Sequence, residues 1–246
     1  MEVKNRLLNF DNMIIYQNDD WFSFSLDSVL LANFVSINYT DKKIIDFCTG
    51  NAPIPMLLSY RTKNEIIGVE LQKEIYDLGV KSINENNLND RIKIVNEDVK
   101  NLSNIYESDS FDIITCNPPY FKTKNELLLN DNNIKTIARH EVMLNLEDIF
   151  CVAKKILKNG KKIALVHRPD RLIEIVDVMK KYCFEPKRIK LCHPKEGLEA
   201  NILLIEAVKN GKSGLKIESP LIIHNDDGSY TDEVRKMFEE WFYVAN

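Results

Sequence analysis

Asn117-Pro118-Pro119-Tyr120 directly follows Phe111–Cys116, an apolar run that reads as a buried parallel strand. Two consecutive prolines offer no N–H to a ladder, so the strand ends at Asn117 and passes into a rigid extended loop. That loop presents an amide side chain, a carbonyl with no competing donor and an aromatic face. Together these suit holding a planar group by its amino nitrogen. A nucleobase amino group and a glutamine amide fit equally well at this point, and the chemistry suggested is methyl transfer to that nitrogen. An isolated Asn-Pro turn is common and usually only structural. The full tetrapeptide after a buried strand, with a glycine-containing strand–loop–helix upstream, is more specific.

A second constellation lies upstream. Ile44-Ile45-Asp46-Phe47-Cys48-Thr49-Gly50-Asn51-Ala52-Pro53 reads as a first strand and its turn, with small residues that let a ligand approach the backbone. Glycine is sparse, with only Gly50 present. Glu70 ends the next strand about twenty residues on, the spacing of a grip on ribose hydroxyls. Asn96-Glu97-Asp98-Val99 ends the third, where Asp98 can accept from an adenine amino group and Val99 can pack on the ring. Each carboxylate alone reads equally as a helix N-cap or a solvated strand end. Their joint placement at three consecutive strand ends points to a nucleoside cofactor. Pro53 and Pro55 stand where a pyrophosphate cradle needs glycine, so a cofactor without phosphates, S-adenosylmethionine, fits better than a dinucleotide. The cofactor set is Asp46, Cys48, Gly50, Asn51, Glu70, Leu71, Asp98, Val99 and Asn117; the catalytic set is Asn117, Pro118, Pro119 and Tyr120.

These residues need a scaffold of alternating strands and helices. Strands are expected at 43–48, 65–70, 91–96, 111–116, 161–167, 186–192 and 201–208, with helices near 53–60, 72–86, 99–106, 145–158 and 170–182. Asn159-Gly160 reads as the stop of the helix that starts near Leu146. The result is an α/β fold: a doubly wound, Rossmann-like, seven-stranded, mostly parallel sheet with an antiparallel last strand. The expected organisation is a single domain over 1–246, with an N-terminal extension (1–40), a catalytic core (41–210) and a C-terminal appendage (211–246). Ser25 is a candidate cap for a helix after it, and Thr231 begins another. Residues 121–137 are polar and strand-free, the profile of a substrate lid.

Composition narrows the partners. The 246 residues are 44% hydrophobic and 28% charged, ordinary for a globular protein. No apolar run is long enough to span a membrane, and the first residues lack a signal-peptide core, so a cytoplasmic protein is expected. Five cysteines without CxxC spacing read as buried free thiols, and with four histidines they form no metal pattern. The net charge of −4 hides an uneven distribution. Residues 1–120 carry 11 basic and 18 acidic groups, 121–220 carry 20 and 13, and 221–246 carry 2 and 6. The basic excess begins just after Tyr120, which could attract phosphates beside the reaction site. Lys122, Lys124, Arg139, Lys161, Lys162, Arg168 and Arg171 are the candidate contacts. A lysine-rich solvated surface is the bland alternative.

Taken together, the chain resembles class I S-adenosylmethionine methyltransferases of the amino-methylating group. More narrowly it is similar to the bacterial tRNA1(Val) (adenine(37)-N6)-methyltransferases. The resemblance rests on Phe24–Ala32, the Asp46–Pro55 turn, Asn117–Phe121, Ala138-Arg139-His140-Glu141, Val166–Pro169 and Asp227–Thr231, in that order and over nearly the whole chain. Ala52 departs from it, since the family commonly has glycine there; tighter contact near the cofactor is expected. The resemblance implies that Asp46, Gly50 and Asn51 line the methionine part of the cofactor, Glu70 holds the ribose and Asp98 the adenine. It implies that Asn117 Oδ1 and the Pro118 carbonyl accept from the target N6 amino group while Tyr120 stacks on the base. The substrate-facing set is Tyr120, Phe121, Lys122, Lys124, Arg139, His140 and Arg168, although a buried structural histidine is the slightly favoured reading of His140. The implied partner is tRNA, with the protein a monomer or weak homodimer. Glutamine methylation in a release factor, another nucleic-acid amino group, or a silent RNA-binding scaffold remain the alternatives.

Overall fold

The computed structural model describes residues 2–8, 12–18, 25–118 and 144–239. The chain begins with an antiparallel hairpin of β1 (Glu2–Arg6) and β2 (Ile14–Asn18), then α1 (Leu26–Phe34). Alternation follows: β3 (Lys43–Phe47), α2 (Pro53–Arg61), β4 (Glu65–Glu70), α3 (Lys73–Glu85) and β5 (Ile92–Asn96). A 3-10 turn (Val99–Asn101) leads into the short α4 (Leu102–Ile105) and β6 (Phe111–Cys116). Then come α5 (Leu146–Ile156), β7 (Leu157–His167), a 3-10 turn (Pro169–Arg171), α6 (Leu172–Lys181), β8 (Phe184–His193) and β9 (Ile202–Lys209). Two two-residue strands, β10 (Lys216–Ile217) and β11 (Leu221–Ile222), precede α7 (Asp232–Glu239).

The large sheet runs β10-β8-β9-β7-β6-β3-β4-β5, with β11 also beside β8. Every pairing in it is parallel except those of β9. The seven expected strands are present; β10 and β11 enlarge the sheet to nine. They are too short to leave a sequence pattern. Both faces of the sheet are covered, which is why β3, β4 and β6 are near-continuous apolar runs. Ile44, Ile66 and Ile113 pack with α1 and α2 on one face, and Ile45, Phe47, Ile67 and Ile114 with α5 and α6 on the other. The strand order reverses between β3 and β6, the crevice where open α/β sheets bind ligands.

Three expectations change. Helix α5 starts with a capping box between Asn145 and Asp148 but ends at Ile156, before Asn159-Gly160. Leu157 already pairs with Phe111, so the sheet takes the chain first, and Gly160 (φ +73°) serves an irregularity inside β7. Ser25 occupies the N-cap position of α1 without a side-chain bond. Cys116 and Cys192 are buried, whereas Cys151 and Cys183 are exposed.

The hairpin is a further element without a prior signal, because β1 is polar and mostly exposed. Tertiary bonds hold it. Asn86 gives its amide to both sides of Ile14, accepting from its N–H at 2.8 Å and donating to its carbonyl at 2.7 Å. Ser82 Oγ accepts the Tyr16 N–H at 2.9 Å.

At the amino ends of the strands, Asp112 Oδ2 accepts the Lys42 and Lys43 N–H groups at 3.0 and 3.1 Å, and Oδ1 faces Lys158 and Lys161 at 3.1 and 3.2 Å. Asp41, fully buried, meets Lys161 at 2.6 Å and Lys162 at 3.3 Å. Lys161 and Lys162 thus tie β7 to the amino ends of β3 and β6 and lie at the wrong end of the sheet for the phosphate contacts expected of them. Burial alone would raise the Asp112 carboxyl; the Lys42 N–H and the flanking ammonium groups outweigh it and hold the pKa below the usual range. A depressed carboxylate contributes stability above its unfolded pKa that is lost as pH falls through the folded one. Asp112→Ala, which leaves the Lys42 and Lys43 N–H groups without their acceptor and removes one of the two carboxylates that face Lys161, is expected to cost about 3 kcal/mol at neutral pH. Urea unfolding at pH 7 and pH 3 tests this: the gap between variant and wild type should narrow at pH 3.

Candidate active site

The chain leaves β3 through Cys48 (φ +55°), Gly50 (φ +60°) and Ala52 (φ +72°), three left-handed residues in alternation. Only glycine adopts this region without cost. The sparse glycine content therefore has a conformational meaning: Cys48 and Ala52 accept strain where glycine would relax it. Ala52 is fully buried in the α1/α2 core, so its departure from the family pattern places a side chain on a left-handed backbone. Pro53 opens α2 at a position where its missing N–H costs nothing.

Glu70 clamps this turn from the end of β4. Gly50 N–H donates to Oε2 and Gln72 N–H to Oε1, both at 2.9 Å. Glu70 is 6% exposed, and its carboxylate is held in one orientation by these donors with those of Leu71 and the Gln72 side chain nearby. Its pKa is raised, by burial first, against the N–H bonds that lower it. Asn96, at the end of β5, donates to the carbonyls of Glu70 and Leu71 at 2.9 Å each. Sequence reasoning placed Asn96 at a strand end without seeing this brace. Gly68 makes room for the turn: a Cβ there would lie 2.8 Å from Thr49 Oγ1 and from Ile94 Cδ1.

Asp98 caps the 3-10 turn, accepting the Lys100 N–H at 2.9 Å, so the bland reading of this residue holds alongside its site position. Val99 is buried and Leu71 is 36% exposed. Asn51 also has a structural role. Its amide nitrogen donates to the Tyr16 carbonyl at 2.8 Å, fastening the turn to the N-terminal hairpin.

Asp46 lies beneath the turn, fully buried, and accepts the Thr115 hydroxyl at 2.6 Å. Burial pushes its pKa up to about 7; the Thr115 bond and the nearby Thr49 hydroxyl pull it down, and Glu70 adds to the rise. The Thr49 hydroxyl stands close without completing a hydrogen bond, and among the described residues Asp46 Oδ2 and Thr49 Oγ1 are buried without a partner.

Asn117 and Pro118 continue β6 past Cys116, which pairs with Phe47. Asn117 is half-buried and Pro118 buried. The candidate cofactor residues and Asn117 therefore meet at the carboxyl ends of β3 to β6, across the strand-order reversal. Pro119, Tyr120, Phe121, Lys122, Lys124, Arg139 and His140, with the 121–137 lid, lie outside the described residues. Arg168 is exposed just past β7 at the same end of the sheet, 3.6 Å from Asp170. The turn that carries it is fixed by His167, whose Nδ1 accepts the Arg168 N–H at 2.8 Å. Burial, then Arg171, lowers the His167 pKa to about 4, which keeps the ring neutral. Arg171 pairs with Glu174 instead of standing free for phosphate.

The donor set fits S-adenosylmethionine. A carboxylate fixed in one orientation suits a diol, and the unpartnered Asp46 and Thr49 oxygens suit a cationic amino-acid end. Nothing in the turn cradles a phosphate.

Residues 22–183 match the family model of the methyltransferase small domain. The chain belongs to that family. With this fold it is an S-adenosylmethionine-dependent methyltransferase. Among curated relatives, a tRNA1(Val) (adenine(37)-N6)-methyltransferase of Porphyromonas gingivalis is 26% identical over 206 residues, 82% of this chain and 80% of the relative. One of Actinobacillus pleuropneumoniae, with the same name, is 22% identical over 98% of both chains. Among solved structures, a predicted O-methyltransferase of Agrobacterium tumefaciens superposes with a TM-score of 0.68 at 23% identity, covering 86% of this chain and 94% of that one. Geranyl diphosphate C-methyltransferase of Streptomyces coelicolor, in complex with S-adenosyl-L-homocysteine, gives 0.53 at 11% identity over 74% and 78%. At these identities the structural likeness speaks for the fold.

Asp46 has a measurable signature. A folded pKa near 7, above the unfolded value, means a contribution to stability present below about pH 4 and lost as pH rises through 7, on the order of 4 kcal/mol at full extent. Asp46→Asn is expected to remove this slope and to melt higher than wild type at pH 8. Parallel melting curves from pH 4 to 8 would show the assignment to be wrong.

Proposed function

We propose that this methyltransferase modifies the N6 amino group of the adenosine 3′ of the anticodon, position 37, in tRNA1(Val). The observation that carries the chemistry is the position of Asn117: half-buried at the end of β6, beside the Glu70-clamped turn across the strand-order reversal. The full-length similarity to relatives named for this reaction supports the acceptor.

When bound, S-adenosylmethionine supplies a sulfonium-activated methyl group. Glu70 would accept from the ribose hydroxyls, Leu71 and Val99 would border the adenine, and Asp98 would accept from its amino group. The Asn117 Oδ1 and the Pro118 carbonyl accept hydrogen bonds from the target amino group. Two acceptors draw that nitrogen towards tetrahedral geometry and free a lone pair otherwise delocalised into the ring. The nitrogen loses its proton after gaining positive charge, so these residues need not include a strong base. Positioning and preorganised dipoles supply most of the rate. Pro119 has no N–H to compete for the target and Tyr120 carries an aromatic ring that could stack on the base, with Phe121, Lys122, Lys124, Arg139 and His140 following in the sequence. A loop nucleotide is cheaper to unstack than one in a duplex, which suits an anticodon loop. Arg168 is a described cation at the right end of the sheet for a phosphate. Among the described residues no helix is long and apolar enough to cross a membrane. A cytoplasmic enzyme acting on free tRNA is the consistent reading.

Methylation of unmodified tRNA, followed by mapping of the modified nucleoside, tests the assignment against a release factor offered in parallel; methyl incorporation into the factor alone would overturn it. Asn117→Ala is expected to reduce methyl transfer by about 10²–10⁴-fold, with donor affinity by calorimetry within about threefold of wild type. Near-normal turnover in that variant contradicts the role given to Asn117.

A further inference from the structure

We infer that Cys48 and Cys116 form a dithiol that closes to a disulfide, joining the donor turn to the catalytic loop, on meeting a small-molecule disulfide. The two residues end adjacent strands. Phe47 is opposite Cys116 in the β3/β6 register, and Cys48 is the next residue. Neighbouring strands lie about 4.8 Å apart, and disulfides bridge Cα separations of about 4.4–6.8 Å.

Side-chain direction decides whether the thiols meet. In a continuing strand Cys48 would point to the face opposite Phe47 and Cys116. Its left-handed backbone (φ +55°) breaks that alternation. Cys48 instead packs on the same apolar cluster that holds Phe47 and Cys116. The Cys48 thiol is within hydrogen-bond reach of Cys116, and burial foremost, with that contact, raises the Cys116 pKa well above its ordinary value. Cys48 is half-buried and Cys116 fully buried, which sets the order of events.

The Cys48 thiolate attacks one sulfur of the small disulfide, forming a mixed disulfide and releasing one small thiol. Cys116 then gives up its proton and attacks Cys48 Sγ, releasing the second. Two protein thiols are oxidised to one disulfide, and one small disulfide is reduced to two thiols. Cys48 immediately precedes Thr49-Gly50, and Cys116 immediately precedes Asn117. A covalent bond there fixes the spacing between donor and acceptor groups and stops turnover until it is reduced. Cys192 belongs to the opposite core, and Cys151 and Cys183 are exposed, so both of the latter are replaced by serine in the test.

The protein carrying C151S and C183S is treated with cystamine and examined by intact mass, non-reducing peptide mapping and methyl transfer. The expected result is a mass lower by two hydrogens with no adduct, a peptide linking Cys48 to Cys116, at least tenfold lower turnover, and recovery with dithiothreitol. Adding C116A should instead leave a cystamine-derived half on Cys48. A stable adduct on Cys48 while Cys116 is present, or two thiols that remain alkylatable, overturns the proposal. A bridged protein with undiminished turnover overturns its link to activity. That link rests on the role given to Asn117; absence of turnover before oxidation would sink that reading instead, and the mass data would still decide the bridge.

Discussion

The bond from Gly50 N–H to the Glu70 carboxylate is the constraint on which the site depends. A turn with three left-handed residues has no regular structure of its own to keep it in place. Glu70 supplies the tie from the neighbouring strand, Thr49 N–H donates to the Val69 carbonyl at 2.9 Å, and Asn96 braces the end of β4 from β5. Three strand ends thereby act as one rigid rim. The same bonds fix the orientation in which the Glu70 carboxylate would meet a ligand.

The two ends of the sheet divide the work. At the amino ends, Asp41 and Asp112 are satisfied by lysines and backbone N–H groups, and their charges are neutralised in place. At the carboxyl ends, Asp46 and Glu70 are buried, among the described residues no cation is a partner in the bonds that hold them, and both have raised pKa values. The contrast follows from the parallel sheet, which collects the loops that follow the strands on one edge. Charges that would be costly elsewhere are kept where a cationic ligand can meet them.

Much of this was legible in the sequence because parallel strands buried on both faces read as plain apolar runs. Glu65–Glu70 and Phe111–Cys116 are observed with the expected limits, and the carboxylates at their ends follow from them. What stayed illegible depends on distant partners. The hairpin strand β1 is polar, and only Asn86 and Ser82, some seventy residues away, make its neighbour β2 a structural element. The role of Lys161 and Lys162 was hidden for the same reason: a lysine's charge is visible in sequence, but the buried aspartate that neutralises it is not. Gly160 carried a correct conformational signal attached to the wrong element, since pairing with Phe111 ended the helix first. Asn51 stood out by its place in the turn, but its bond to the Tyr16 carbonyl could not be seen without the hairpin.

That fastening has a consequence for how the protein assembles. The hairpin leaves the ribosome before its docking groups, Asn51, Ser82 and Asn86, which follow 35 to 72 residues after the atoms they hold. Until α3 exists, the Ile14 and Tyr16 backbone groups have only water to satisfy them. The cofactor turn therefore borrows one of its anchors, the Tyr16 carbonyl, from an element that cannot dock until the middle of the chain has been made.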